Sequence, residues 1–234
     1  GLEKKESSLA YAVQKVRGEE LNRVKEVNMI TALAGKAAGV QVSKNSSGMG
    51  GSAKVSIRGV RSVAGDNQPL YVIDGVPMLN STSEQAYSAI GGTANAGNRD
   101  GGDGISNLNP EDVESISILK GAPAAALYGS QAANGVILIT TKKGNTVGRR
   151  DIHFSTGLTF EKAFSLPEMQ NSYGVSDVTD SWGEKENLTV YDNLGDFFRT
   201  GLTSITSVSV NSGNDKLQTY FSYANTTGRG ILNE

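Results

Sequence analysis

Hydrophobic and polar positions change their period along this chain, and the changes predict its elements. Tyr11, Val13 and Val16 mark a short extended segment, followed by the polar Gly18-Glu19-Glu20. From Asn28 the spacing becomes helical. Met29, Leu33 and Ala37 share a face, with Ile30 and Ala34 beside them. Asn28 is the natural cap of that helix and Gly39 its stop. Val40 and Val42 begin a strand, and Val55, Ile57 and Val60 form another, interrupted by Arg58-Gly59. The stretches 46–52 and 64–68 are loops by composition. Leu70-Tyr71-Val72-Ile73 reads as a buried strand, ended by the turn dipeptide Asp74-Gly75.

Residues 79–108 carry Ser, Thr, Asn and Gly with few apolar anchors, a loop long enough to expect a functional role. The stretch 109–144 then reads as helix, strand, helix, strand. Asn109 caps a short helix with Pro110 in its first turn, where a missing N–H costs nothing. Glu111 and Asp112 follow, near the positive helix end. Val113, Ser115, Ser117 and Leu119 alternate with Glu114, Ile116, Ile118 and Lys120, which predicts a strand with one strongly apolar face. Pro123 opens a helix over Ala124 to Tyr128, ended by Gly129. Val136 to Thr140 suits a strand buried on both faces. The first 144 residues thus predict a small mixed domain of about four or five short strands with three helices.

After Gly148 the period becomes two. Ile152, Phe154, Thr156, Leu158 and Phe160 share one face, against Asp151, His153, Ser155, Gly157, Thr159 and Glu161. Leu217, Thr219, Phe221 and Tyr223 repeat this against Gln218, Tyr220, Ser222 and Ala224. Ser204 to Val210 is a weaker third case, and Ser212-Gly213-Asn214-Asp215 predicts a tight hairpin turn. Residues 163–200 read as a long polar insert holding Tyr173, Trp182, Tyr191, Phe197 and Phe198. Such segments, joined by a short turn and a long loop, suit an outer-membrane barrel. A half-buried sheet in a soluble domain shows the same alternation.

Composition narrows the chemistry. The net charge of −2 gives no electrostatic reason to expect nucleic acid. No run of 18 apolar residues is present, so no spanning helix is expected. With no cysteine, disulfides and thiolate metal sites are excluded. Glycine, at 29 residues, is the outlier and predicts tight turns and close backbone approaches. The first residue is Gly1 rather than Met, without a leader pattern, so a processed or excised product is expected. Gly48 to Gly51 lack the phosphate-loop pattern and read as a loop. Asp100-Gly101-Gly102-Asp103-Gly104 offers carboxylates for calcium but lacks the EF-hand spacing, so no metal and no cofactor is expected. His153 is the only histidine, and no GxSxG elbow exists, so no catalytic residues are predicted.

Three stretches in order carry a resemblance: Val55-Ser56-Ile57-Arg58-Gly59; Pro69-Leu70-Tyr71-Val72-Ile73-Asp74-Gly75-Val76-Pro77; and Asn109 to Gly144. Together they resemble the plug domain of a TonB-dependent outer-membrane transporter of the SusC/RagA-like group, strongly over residues 9–147. The resemblance extends to 150–234 by the strand-and-turn pattern, and it favours the barrel over the soluble sheet. It implies an α+β plug domain, a small mixed sheet with short helices, over 1–148. Over 149–234 it implies the first antiparallel strands and first long extracellular loop of a truncated transmembrane β-barrel. Barrels of about 22 strands have plugged lumens. Three strands cannot close one, and open sheet edges are prohibitive in lipid, so the remaining barrel strands are expected as a partner. A TonB-contacting segment is not recognisable.

The resemblance further implies an outer-membrane location in a Gram-negative bacterium, with the plug in the lumen. It implies nutrient import, of an oligosaccharide or peptide, energised through TonB and without chemistry on the substrate. A SusD-like lipoprotein lid is the implied outer partner. Arg58 and Arg61 are then expected to pair with carboxylates on the barrel wall, a role for which Arg's fixed fork is suited. Glu111, Asp112 and Lys120 are candidates for the same ion pairing. The plainer readings are two solvated loop arginines and acids placed by the helix dipole. Tyr173, Trp182, Asp100 and Asp103 are the substrate-facing candidates, because stacking faces beside polar groups suit a sugar or peptide. The alternative function is a soluble periplasmic plug-like interaction module.

Overall fold

A computed structural model of the chain describes residues 13–44, 51–62, 67–78, 80, 102–146, 148–175, 177, 179, 182–185 and 191–232. By contacts the chain divides into two compact units: Gly1–Gly157 with Ile205–Thr226, and Leu158–Ser204 with Thr227–Glu234.

The first unit is built on a five-stranded mixed sheet of order β1-β6-β7-β4-β5. These strands are β1 (Val13–Arg17), β4 (Leu70–Ile73), β5 (Val76–Met78), β6 (Val113–Leu119) and β7 (Val136–Thr141). β7 is central, antiparallel to β6 and parallel to β4. Its run of Val, Ile and Leu is explained by apolar layers on both faces, as the sequence predicts. Ile137 and Ile139 face one layer together with Tyr71, Ile116 and Ile118. Val136 faces the other, with Leu70, Val72 and Leu119, under the helix α2 (Ala122–Tyr128).

The first layer is completed by a separate antiparallel pair, β2 (Val40–Lys44) and β3 (Ala53–Ile57), with Val40 opposite Ile57 and Val42 opposite Val55. It is completed also by the 28–39 segment, where the structure corrects the helix prediction. Only a 3-10 turn forms, Thr31–Leu33. Asn28 does cap, its Oδ1 accepting from the Ile30 amide at 2.9 Å. However, Gly35 turns to φ 73°, and Met29, Ile30, Ala32, Leu33 and Ala37 are all buried rather than one stripe of them. A segment buried on several sides needs no helical period. The helical turn α1 (Gly18–Leu21) lies instead where the sequence suggests only a polar stretch.

A second correction concerns β6. Both of its faces are buried, and Val113 packs in the same layer as Ile116 and Ile118 despite its odd spacing. The pairing with β7 shifts register between Val113 and Ser115, and this bulge turns Val113 to the opposite face from strict alternation. The helix expected after Asn109 is a single 3-10 turn, Pro110–Asp112, with the Asn109 side chain accepting from the Glu111 amide. The Asp74-Gly75 turn joins β4 to β5, with Asp74 at φ 48°. Its carboxylate accepts from the Thr141 amide at 3.0 Å and hydroxyl at 2.6 Å. Burial alone would raise that carboxyl, but the Thr141 bonds and nearby Lys143 hold it below its ordinary value.

Three long strands follow, β8 (Arg150–Glu161), β9 (Gly201–Gly213) and β10 (Gln218–Arg229), in the order β10-β9-β8. They run 12, 13 and 12 residues, somewhat longer than predicted and long enough to cross a bilayer. Ile152, Phe154, Leu158 and Phe160 on β8 and Phe221 and Tyr223 on β10 are all exposed on the face that the alternation assigns to apolar residues. The β9–β10 turn sits slightly later than predicted, with the Asn214 amide donating to the Leu217 carbonyl.

In the second unit, α3 (Asn193–Phe197) is capped by Asp192, whose Oδ1 accepts from the Gly195 amide. Isolated bridges join Tyr173 to Lys185 and Phe198 to Leu232. The 163–200 insert is less polar outside than its composition suggests, since Phe164, Met169, Trp182 and Tyr191 are all exposed.

Candidate functional site

The local geometry within the first unit gathers around the Pro110–Asp112 turn. Asn109, Pro110 and the turn itself are rigidly held. The Asn22 amide side chain donates to the Pro110 carbonyl, and the Lys142 amide donates to the Asp112 carbonyl at 2.8 Å. From this base two carboxylates project toward the long strands. Glu111, 8% exposed, accepts from the Ser155 hydroxyl on β8 at 3.1 Å and forms an ion pair with Lys25. Lys25 also donates to the Ser155 hydroxyl. Asp112 accepts on one oxygen from the Tyr220 hydroxyl at 2.9 Å and on the other from the Ser222 hydroxyl at 2.8 Å, both on β10. Ser155, Tyr220 and Ser222 lie on the small-polar faces that the period-two pattern assigns.

A second set of contacts stitches the connection into β8. Asn145 donates its amide to Asn211 Oδ1 on β9 at 2.7 Å, and Asn211 donates to the Lys143 carbonyl. The Gly148 amide donates to the Gly213 carbonyl at 2.8 Å.

The basic candidates bond elsewhere. Arg61 donates from Nη1 to the Ala133 carbonyl at 2.8 Å, while its amide donates to Asn67. Arg58 is exposed, at φ 62°, with its amide on the Gly39 carbonyl. Lys120 donates to Gln14 Oε1 and to the Ala38 carbonyl, tying the end of β6 to β1 and to the 28–39 segment. Burial, then the charge of Arg58, lowers the Lys120 ammonium below its ordinary value. Among the described residues, none of these three cations forms an ion pair with a carboxylate of β8, β9 or β10.

The substrate-facing candidates divide. Asp100 lies outside the described residues. Asp103 is 3% exposed and turned inward. It accepts from the amides of Ser106 and Ala53 and from the Asn28 side chain, which makes it a brace between the 104–107 turn, β3 and the 28–39 segment. No group of three or more acidic or histidine side chains is placed to hold a metal among the described residues. Tyr173 and Trp182 do come together in the second unit. Their ring centroids are 5.5 Å apart at 53°, and Trp182 is 70% exposed. The pairing is produced by backbone bonds from Gly174 to Glu184 and from Gly183 to Gly174. Lys25, Ser155, Tyr220 and Ser222 were not singled out by the sequence. The polar side of the alternation was the signal that could have found the last three.

The profile of the TonB-dependent receptor plug domain matches residues 5–136. The chain belongs to that family. It is 33% identical over 97% of its length to the TonB-dependent receptor SusC of Bacteroides thetaiotaomicron, covering 22% of that protein. It is 34% identical over 70% of its length to the TonB-dependent receptor P26 of Formosa agariphila, covering 15% of it. Among solved structures, the RagAB peptide importer in its open-open state matches with a TM-score of 0.71 and 26% identity, over 99% of this chain and 28% of that one. The chain thus spans about a fifth of the length of SusC. The expected fold, a mixed plug followed by antiparallel strands, is what these relatives share. The mixed sheet, up to the start of β7, lies within the residues matched to the plug domain, and the antiparallel strands β8, β9 and β10 follow it.

Proposed function

We propose that the chain is the gate and first wall strands of an outer-membrane importer for oligosaccharides or peptides. The observation that carries this reading is the two-sided character of β8 and β10. Each puts large apolar side chains outward and small polar ones inward, onto the carboxylates of a plug-family domain. A soluble sheet would not leave Phe154, Phe160 and Phe221 bare on one face.

In this reading residues 1–148 are the plug, and 149–234 are wall and first outer loop. The plug occludes the lumen of a Gram-negative outer-membrane barrel completed by further strands. Energised TonB displaces it from the periplasmic side, and the cargo passes chemically unchanged. A SusD-like lipoprotein lids the outer face, where Tyr173 and Trp182 offer stacking surface to cargo. Asp100 belongs to the same proposal, whereas Asp103 supports the plug from inside. Glu111 and Asp112 hold the plug to the wall, and Arg58, Arg61 and Lys120 serve its retention from within or through wall strands beyond β10.

The test is uptake by cells expressing the full-length protein. Labelled oligosaccharide and peptide mixtures should enter with the intact protein, and entry should stop when TonB is deleted. The protein should fractionate with outer membranes and require detergent. A full-length protein found soluble in the periplasm would overturn the reading in favour of a soluble interaction module.

A further inference from the structure

We infer that the Glu111–Asp112 turn is a seat that registers the plug on two wall strands through carboxylate–hydroxyl hydrogen bonds. The inference rests on the plug-and-wall reading and names the contact by which the two parts fit. Three observations converge on it. Both oxygens of Asp112 are taken by hydroxyls two positions apart on β10, Tyr220 and Ser222, so one carboxylate reads one inward face of one strand. Glu111 reaches the other edge of the three-stranded sheet, through Ser155 on β8. The wall is shaped for this approach at Gly157, where a Cβ would stand 2.7 Å from Lys25 Cγ, so the Lys25 stem passes only because the position is glycine.

The dipole explanation for these acids fails on size, because a turn of three residues has almost no aligned peptides to sum. The backbone of the turn is pinned on both sides, by Asn109 and Lys142, so the carboxylates are presented rather than merely tolerated. Hydroxyl donors distinguish this seat from an ion pair across the interface. Each bond carries one formal charge instead of two, so salt screens it weakly, while its charged acceptor makes it stronger than a neutral bond.

The test is a double-mutant cycle on the full-length protein purified in detergent, read by amide hydrogen exchange in β6. Asp112→Ala should speed exchange of the Val113–Leu119 amides by roughly tenfold or more. Tyr220→Phe combined with Ser222→Ala should do the same from the wall side. All three substitutions together should be no faster than Asp112→Ala alone, since they remove one shared contact. The coupling should persist between about 0.1 M and about 1 M salt. Arg61→Ala should show no coupling to the β10 pair. If Asp112→Ala does not accumulate, Asp112→Asn and Tyr220→Phe make the same cycle with one oxygen at stake. Additive effects, no effect, or coupling that vanishes in high salt would each overturn the seat. Exchange needs neither cargo nor TonB. Lost coupling with normal uptake therefore removes the seat alone, and intact coupling without uptake removes the importer reading alone.

Discussion

The substitution Gly135→Ala isolates how tightly the plug is closed at its centre. Gly135 is buried at φ 103°, immediately before β7. Its carbonyl accepts from the Leu70 amide at the start of β4, and its amide donates to the Ala132 carbonyl. A Cβ there would lie 2.9 Å from Ile57 Cδ1 and 3.0 Å from the Leu119 carbonyl oxygen. The isoleucine methyl can swing aside, but the carbonyl belongs to the β6 backbone and cannot move without the sheet. Two costs add: about 1–3 kcal/mol for a side chain at a positive φ, and about 1–3 kcal/mol for overpacking a closed site.

Gly129 supplies the matched comparison. It has φ 76°, but a Cβ there meets nothing within 4 Å. Gly129→Ala therefore carries the conformational cost alone, about 1–3 kcal/mol. The difference between the two variants reads the close approach, and about 1.4 kcal/mol of it corresponds to tenfold in an opening equilibrium. Amide exchange over Val136–Thr141, in the full-length protein in detergent, is the assay. Gly135→Ala should exchange roughly tenfold faster than Gly129→Ala, which should itself exceed the wild type. If Gly135→Ala matches or falls below Gly129→Ala, the reasoning from backbone contact is refuted.

The other predictions use the same protein. Asp103→Ala should destabilise the plug by about 3 kcal/mol or more, because it strands the amides of Ser106 and Ala53 and the Asn28 side chain; a thermal melt followed by plug exchange checks this. Asp74 has a folded pKa below its ordinary 3.8, so its contribution is complete above that value and lost as pH falls through the lower folded one. Thr141→Val removes a bond to the ionised form and should move loss of Thr141-amide protection to higher pH on acidification. Trp182→Ala should reduce uptake while leaving exchange throughout the plug unchanged, since its ring packs on Tyr173 alone among the aromatic pairs; slowed uptake with a loosened plug would contradict this separation.

The central sheet was legible because its strands obey one rule each. The β7 run is apolar on both faces, and the Asp74-Gly75 dipeptide fixes the turn between β4 and β5. The 28–39 segment misled because a 3.6-residue period is also produced, by coincidence, when an irregular segment is buried on several sides. There Met29, Ile30 and Leu33 are all buried, in one cluster with residues of β2, β3, β6 and β7, instead of marking a stripe. β6 misled through its bulge, since a skipped residue inverts the face of Val113 and no local residue type announces it. The acidic candidates Glu111 and Asp112 were found by position, yet their hydroxyl partners lie about 40–110 residues away, a distance over which single-sequence patterning carries no pairing information.

The inward faces of β8 and β10 explain why the pattern held there and what it is for. A lipid-facing barrel strand requires apolar residues only on its outside, and the inside is constrained by whatever fills the lumen. For a water-filled channel, charged and bulky polar residues on the inside would serve equally. Where the strands meet the Pro110–Asp112 turn, the inside is Ser155, Tyr220 and Ser222, all hydroxyls, with the charge at that contact supplied by Glu111, Asp112 and Lys25; Asp151 and Glu161 lie on the same face toward the two ends of β8. That division leaves no cross-interface ion pair to break at this contact when the two parts separate, and Asp112 exchanges two hydroxyl donors for water. Glu111 keeps Lys25, and the strand side of the contact is left with neutral hydroxyls that water can satisfy. On the proposed reading as an importer's gate, a contact so arranged would hold the plug in place without making its release prohibitively costly.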